Sequence, residues 1–273
     1  MPTWMITGTS SGLGRALAEQ AIAAGLQVVA TARDPLAIRD LEEAHPGTVA
    51  AVRLDVTDRA SIATAAQVAE SRFGGIDVLV NNAGYGYTAA IEEGEDDTVA
   101  DLLATHFTGP VALIKAVVPG MRARRAGLIV NVSSAGARIT LPGGGYYSAA
   151  KAALEGVSGA LRKELAPLGV HVMIVEPGSF RTEFRSRSAR GSKVRISDYD
   201  EVMGRTGGER LGPQRGDPVK AAQAILMAAA EAPPPALLLL GSDALAGYRT
   251  LVEAERADID RYEQLTLSTD ATG

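Results

Sequence analysis

Short apolar runs alternate along the chain with longer stretches in which apolar residues recur every three to four positions. The runs Trp4–Ile6, Gln27–Thr31, Val49–Leu54, Val78–Val80, Leu128–Val132, Val170–Val175 and Leu237–Leu240 are β-rich and bounded by turn residues, which predicts strands. Helical periodicity starts near Gly12, Leu36, Arg59, Glu95, Tyr146, Asp217 and Ala244. The strands are apolar on both faces rather than alternating, so they are expected to pair in parallel with helices on each side. Right-handed crossovers then give a doubly wound, seven-stranded α/β sheet in a single domain over residues 1–273.

One region breaks the pattern. From about Gly178 to Gly216 the periodicity fades, and arginines and lysine (Arg181, Arg185, Arg187, Arg190, Lys193, Arg195) sit among serines and glycines. Long irregular stretches inside a compact domain are binding loops, lids or solvated connections. Two readings stand here: a solvated loop without a charge-specific role, or a basic lid that meets an anionic ligand. The lid reading makes residues 178–216 a mobile cover, with Phe180, Phe184, Val194, Ile196, Tyr199, Val202 and Met203 closing over an apolar substrate. After it, residues 243–264 read as a C-terminal helical extension with a charged face.

Composition narrows the class. The 273 residues are 46% hydrophobic and 22% charged, as in ordinary globular domains. A net charge of −5 argues against nucleic acid as a partner. There is no cysteine, which removes disulfide and thiolate chemistry. No uninterrupted apolar run reaches the ~18 residues of a membrane span, and the first residues lack a signal peptide's pattern, so a cytoplasmic location is expected. No metal-ligating cluster stands out, and none is expected.

Chemistry concentrates at predicted strand ends. Thr7-Gly8-Thr9-Ser10-Ser11-Gly12-Leu13-Gly14 joins the first strand to the first helix. Glycines there permit a tight turn and close approach to a diphosphate, and the helix start offers free N–H groups. The segment also matches Gly-x-Ser-x-Gly, the hydrolase elbow, but His45, His106 and His171 do not supply the partner that an elbow needs. At the end of the second strand Ala32 stands where an acid would bind the ribose diol of NAD, and Arg33 follows it. An arginine there can hold the 2′-phosphate of NADP(H), which is the cofactor expected, although Asp34 could partly neutralise it. Asn81-Asn82-Ala83-Gly84 ends the fourth strand and Ser133-Ser134 the fifth. Tyr147 and Lys151 are four residues apart, on one face of a helix, where a cation beside the phenol favours proton exchange.

Together these residues resemble the short-chain dehydrogenase/reductase family and its Rossmann fold. The matching pieces are Thr7–Gly14, Asp55, Asn81–Gly84, Ser134, Tyr147-Ser-Ala-Ala-Lys151, and Pro177-Gly178 followed by Thr182. The resemblance implies that Tyr147 is the catalytic acid/base and that Ser134, rather than Ser133, polarises the substrate carbonyl. It implies that Lys151 binds the nicotinamide ribose and lowers the tyrosine pKa. Gly8, Ser10, Ser11, Gly12, Leu13 and Gly14 would cradle the diphosphate. Asp55, with Val56 beside it, would contact the adenine. Asn82, Ala83 and Gly84 would line the cofactor, with Pro177, Gly178 and Thr182 at the carboxamide end. The family's Asn-x-x-Gly on the fourth helix is here His106-Phe107-Thr108-Gly109. His106 could relay protons itself or merely pack.

The expectation is an NADP(H)-dependent oxidoreductase acting on a small carbonyl or alcohol, with ketone or aldehyde reduction as its direction. Oxidation of an alcohol such as a hydroxysteroid or retinol is the alternative reaction, and a nucleotide-sensing protein without turnover is the alternative class. The assembly expected is a homodimer or homotetramer, and the sequence does not choose between them.

Overall fold

The apolar runs become strands. In the computed structural model, which describes residues 1–184, 189–206 and 214–271, they form β1 (Thr3–Thr7), β2 (Gln27–Ala32), β3 (Val49–Arg53), β4 (Val78–Asn81), β6 (Gly127–Val132), β7 (Val170–Pro177) and β9 (Leu237–Leu240). Two short strands, β5 (Gly86–Thr88) and β8 (Ala189–Gly191), form a separate pair. The seven-stranded sheet has the order β3-β2-β1-β4-β6-β7-β9, and its neighbours are parallel. The helices are α1 (Gly12–Ala23), α2 (Arg39–Ala44), α3 (Arg59–Phe73), α4 (Asp96–Leu103), α5 (Gly109–Arg124), α6 (Gly145–Leu165), α7 (Pro218–Ala229) and α8 (Ser242–Leu267). This is the doubly wound Rossmann arrangement.

Strand alternation sorts the core into two layers. In β1, Trp4 and Ile6 face Leu17 and Ala21 of α1 and Ile225 of α7. Met5 points the other way, towards Ile62 of α3 and Leu113 and Val117 of α5. Each such buried aliphatic side chain contributes about 1.5–3 kcal/mol relative to exposure. Helix starts are set by carboxylates: Asp58 accepts from the Ala60 N–H at 2.9 Å, and Asp217 from the Val219 N–H at 2.9 Å.

The chain winds outward from β1 to β3 and returns to β4 on the other side of β1. That reversal opens a crevice at the carboxyl ends of β1 and β4, where doubly wound sheets bind ligands. A π-helical turn, Ala104–Thr108, joins α4 to α5. The resulting rod, Asp96–Arg124, is 29 residues long and apolar enough by length and composition to cross a membrane. Its Ala112, Leu113, Ile114, Val117 and Met121 lie in the core.

The described parts of the 178–216 region are tied into the fold more firmly than the lid reading expects. β8 pairs with β5. The fully buried Glu93 accepts from Arg205 at 2.7 and 2.5 Å and from the Ile196 N–H at 2.8 Å. Arg205 holds the Glu93 carboxyl down at about 2. Several of the basic side chains meet this chain's own acids rather than standing free: Arg195 reaches Asp200 at 2.7 Å and Arg181 reaches Asp217 at 3.9 Å. Arg190 stacks over the Tyr85 ring at 4.2 Å. Arg185 and Arg187 lie outside the described residues. Sequence periodicity misses this strap because its anchors sit about a hundred positions away. The expected result is that the amides of Ser192 and Ile196 are protected from hydrogen exchange without any ligand. Glu93→Gln should expose both, and so should acid, as the carboxylate is protonated between its ordinary range and about 2. Fast exchange in the free parent protein would restore the mobile-lid reading.

Candidate active site

Glycine geometry shapes the first wall of the crevice. Gly8 has φ +74° and Gly12 φ +59°, conformations that glycine adopts without strain. A Cβ on Gly14 would lie 2.3 Å from the Gly8 carbonyl oxygen and from Asn82 Nδ2. Only a bare backbone fits between β1, β4 and α1 there. Asn82 fastens this corner, with Nδ2 donating to the Thr7 carbonyl at 2.8 Å, while the N–H groups of Asn82 and Ala83 donate to Thr7 Oγ1. Ser11 caps α1 in an extended conformation without a side-chain hydrogen bond. The first-turn N–H groups and the helix dipole are therefore available to an anion. A phosphate-bearing dinucleotide fits these features.

The second wall comes from β2 and β3. Arg33 is exposed at the end of β2, beside buried Ala32. Asp34 turns its carboxylate onto the Leu36 N–H at 3.0 Å, where it caps a 3-10 turn. Burial would raise the Asp55 carboxyl, but the Thr57 N–H and hydroxyl, donating at 3.0 and 2.7 Å, bring it below its ordinary value. Val56 is buried, and its carbonyl lies against Gly109. At the far end Thr182 lies across from Gly12, with its Cβ 3.5 Å from where a Gly12 Cβ would be. Gly178 donates its N–H to Leu240 at 2.8 Å after Pro177.

Ser134, Tyr147 and Lys151 meet at the centre. Ser134 ends the β6 connection and opens a 3-10 turn, accepting from the Gly136 N–H at 3.0 Å. Its hydroxyl lies near enough to the Tyr147 phenol to act on its titration. Ser133 turns away and donates to Glu155 Oε1 at 2.5 Å. Lys151 lies 5.8 Å from the Tyr147 ring centre and donates to the Val132 carbonyl at 2.8 Å. Burial pushes the Tyr147 phenol up to about 12, against the opposing effect of the Ser134 hydroxyl. Burial likewise pushes Lys151 down to about 8, against the charge of Glu155. This differs from the expectation of a tyrosine drawn towards neutral pH: in the protein alone, desolvation outweighs the cation beneath the ring. At neutral pH the pair is a phenol and an ammonium.

His106 packs beside this centre. Its ring is buried and stands edge-on to Tyr147, with centroids 5.4 Å apart. Nε2 lies 2.8 Å from the Tyr85 carbonyl and 3.1 Å from the Tyr85 N–H. The π-helical turn puts the ring there, as such turns often do at functional sites. Burial, helped by Lys151, holds the imidazole well below its ordinary pKa. His106 is thus neutral across the physiological range, and no ionisation near pH ~6.5 is expected in the rate profile. His106→Asn is expected to leave kcat within about tenfold, roughly 1.4 kcal/mol in barrier. The same variant should flatten the loss of stability as pH falls below ~6.5, because there the unfolded chain takes up a proton that buried His106 refuses. A far larger drop in kcat would give the imidazole itself the relay.

Sequence reasoning placed Phe184 over the substrate but not against Tyr147, where it stands edge-on at 6.1 Å, and it did not find Tyr85. Neither sits in a motif, and only the fold brings them in. It also passed over Glu176, although an acid closing an apolar strand was a visible signal.

The comparisons agree with this geometry. The family model described as short chain dehydrogenase matches residues 2–193. Oxidoreductase BOA17 of Botryotinia fuckeliana is 36% identical over 274 residues, covering 97% of this chain and 98% of that one. The crystal structure of a short-chain dehydrogenase from Streptomyces avermitilis superposes with TM-score 0.92 at 42% identity, covering 99% of this chain and 100% of that one. A short chain dehydrogenase from Burkholderia cenocepacia, solved in complex with NADP, gives TM-score 0.75 at 27% identity, covering 95% and 96%.

Proposed function

The chain belongs to the short-chain dehydrogenase family, and from that premise we propose that it is an NADP(H)-dependent reductase of small ketones or aldehydes with an apolar body. The observation that carries this reading is the buried Tyr147 phenol beside Ser134, with Lys151 Nζ 5.8 Å from its ring centre. A bound nicotinamide supplies the hydride. The protein does the rest. The Ser134 hydroxyl donates to the substrate oxygen and stabilises the charge that develops on it. Tyr147 then gives its proton to that oxygen. Lys151, anchored on the Val132 carbonyl, keeps a positive charge beneath the phenol and stabilises the phenolate left behind. At neutral pH the phenol is protonated, which is the form that reduction starts from.

This reading assigns the apolar part of the substrate to the start of α6. A cavity of about 460 Å³ opens at the start of α6, two residues from Tyr147, between Ala89, Ile91, Leu141, Pro142 and Gly145. Phe184 stands edge-on to Tyr147, with ring centroids 6.1 Å apart. The test is a screen of ketones and aldehydes with NADPH and with NADH, following loss of reduced-nicotinamide absorbance. NADPH-dependent reduction of apolar carbonyls is expected. NADPH binding without turnover across the set would instead favour a nucleotide sensor.

A further inference from the structure

Two glutamates stand behind the site, and the chemistry above does not use them. Glu155 lies on α6, one turn beyond Lys151, and Glu176 lies near the end of β7. Glu176 is 2% exposed. Ser133 brings the two together: its N–H donates to the Val175 carbonyl at 2.8 Å, next to Glu176, and its hydroxyl donates to Glu155 Oε1 at 2.5 Å, and each glutamate acts on the titration of the other. Glu176 Oε2 is buried with no hydrogen-bond partner among the described residues.

Two ionised carboxylates buried side by side are acceptors only, and their charges repel. One retained proton removes that cost. A bare oxygen such as Glu176 Oε2 is also far cheaper to bury on a neutral carboxyl than on an ionised one. We propose that Glu155 and Glu176 share one proton at neutral pH and form a positioning pair that gains negative charge as pH rises, keeping Lys151 cationic. The role of Lys151 rests on the function proposed above; the shared proton does not.

The surrounding charges fit this arrangement. Lys151 and Glu155 face each other along α6. Arg138, at the end of the turn that follows Ser134, acts on both glutamates. Glu255 of α8 grips Arg138 at 3.0 and 2.8 Å, and Tyr248 of α8 stacks beneath it at 5.4 Å. The arginine's charge is thus largely spent on α8, which leaves the pair short of a full counter-ion. Burial, reinforced by Glu155, pushes Glu176 up to about 7, and burial raises Glu155 as well. Lys151 is pushed down to about 8. As pH rises through about 7 the pair passes from one negative charge to two, just before Lys151 would lose its own charge. The second charge favours the ammonium and moves its titration upward.

Carbon-13 NMR of the full chain, labelled on glutamate carboxyls and lysine ε-carbons, tests both halves without turnover. In the parent protein one carboxyl step is expected at about pH 7. In Glu176→Gln that step should vanish, and Lys151 should titrate lower by about half a pH unit, roughly threefold in the ratio of its two forms. The alkaline limb of kcat against pH should move down with it. Titration of every carboxyl below pH ~5 would overturn the shared proton. An unmoved Lys151 in the variant would overturn the positioning role. Should Glu176→Gln not fold, Glu155→Gln removes the same second charge and reads the same shift. If the catalytic reading were wrong, carbonyl turnover would be missing while Lys151 still responded to Glu176→Gln.

Discussion

Tyr147→Phe is expected to lower kcat by ~10²–10⁴ while NADPH binding stays within a few-fold of the parent. The argument separates what the ring does from what the hydroxyl does. The ring stacks edge-on between His106 and Phe184, with centroids at 5.4 and 6.1 Å, and phenylalanine keeps both contacts. The hydroxyl carries the transferable proton and lies beside Ser134. Removing it leaves Ser134 to stabilise the oxyanion but no acid to complete the reaction. It also removes a buried polar group that burial had pushed up to about 12, so the fold should not suffer. Single-turnover kinetics with NADPH, alongside cofactor fluorescence titration, separates the two steps. Turnover within a few-fold of the parent would take Tyr147 out of the mechanism. Equal losses of binding and turnover would mean that the ring had collapsed into the cofactor cleft.

The layers of the fold were legible because each strand announces itself. Val28 and Val29, or Leu79 and Val80, are consecutive apolar residues buried on opposite faces of one sheet, and the shortness of these runs and the turn residues around them set them apart from buried helices. The cofactor corner was legible for a related reason. Gly8, Gly12 and Gly14 are constrained by backbone alone, so the residue type carries the geometry. Tyr147 and Lys151 were legible because helical spacing places them together without help from elsewhere.

What stayed hidden depends on contacts between distant parts of the chain. Helical periodicity from Asp96 to Arg124 runs unbroken through Ala104–Thr108, so nothing in the sequence marks the π turn that aims His106 at Tyr147. β5 and β8 have three residues each, too few to show a period, and exist because they find one another. Glu93 reads as a surface acid until Arg205, Ile196 and Ala90 converge on it. The direction of the Tyr147 shift was hidden as well. Sequence shows the cation at the fourth residue but not the desolvation that outweighs it.

Arg33→Ala is expected to weaken NADPH by about one to two decades and to leave NADH within a few-fold. Charge-assisted bonds to a phosphate contribute roughly 1.5–3 kcal/mol, and each 1.4 kcal/mol is about tenfold. The residues around Arg33 favour this split. Ala32 offers no carboxylate to a ribose diol, so NADH gains nothing at this strand end that the substitution could remove. Asp34, which on sequence alone could have neutralised the arginine, spends its carboxylate on the Leu36 N–H. Asp55 is occupied by Thr57 at 3.0 and 2.7 Å. The guanidinium is exposed at the crevice rim, where a 2′-phosphate can reach it. The contact should weaken with salt, since an exposed pair is screened within ~8–10 Å at ordinary ionic strength. Dissociation constants for both cofactors, measured for parent and variant at low and high salt, decide the matter. Parent protein that binds NADH as tightly as NADPH, or a variant that loses both equally, would remove Arg33 from cofactor choice.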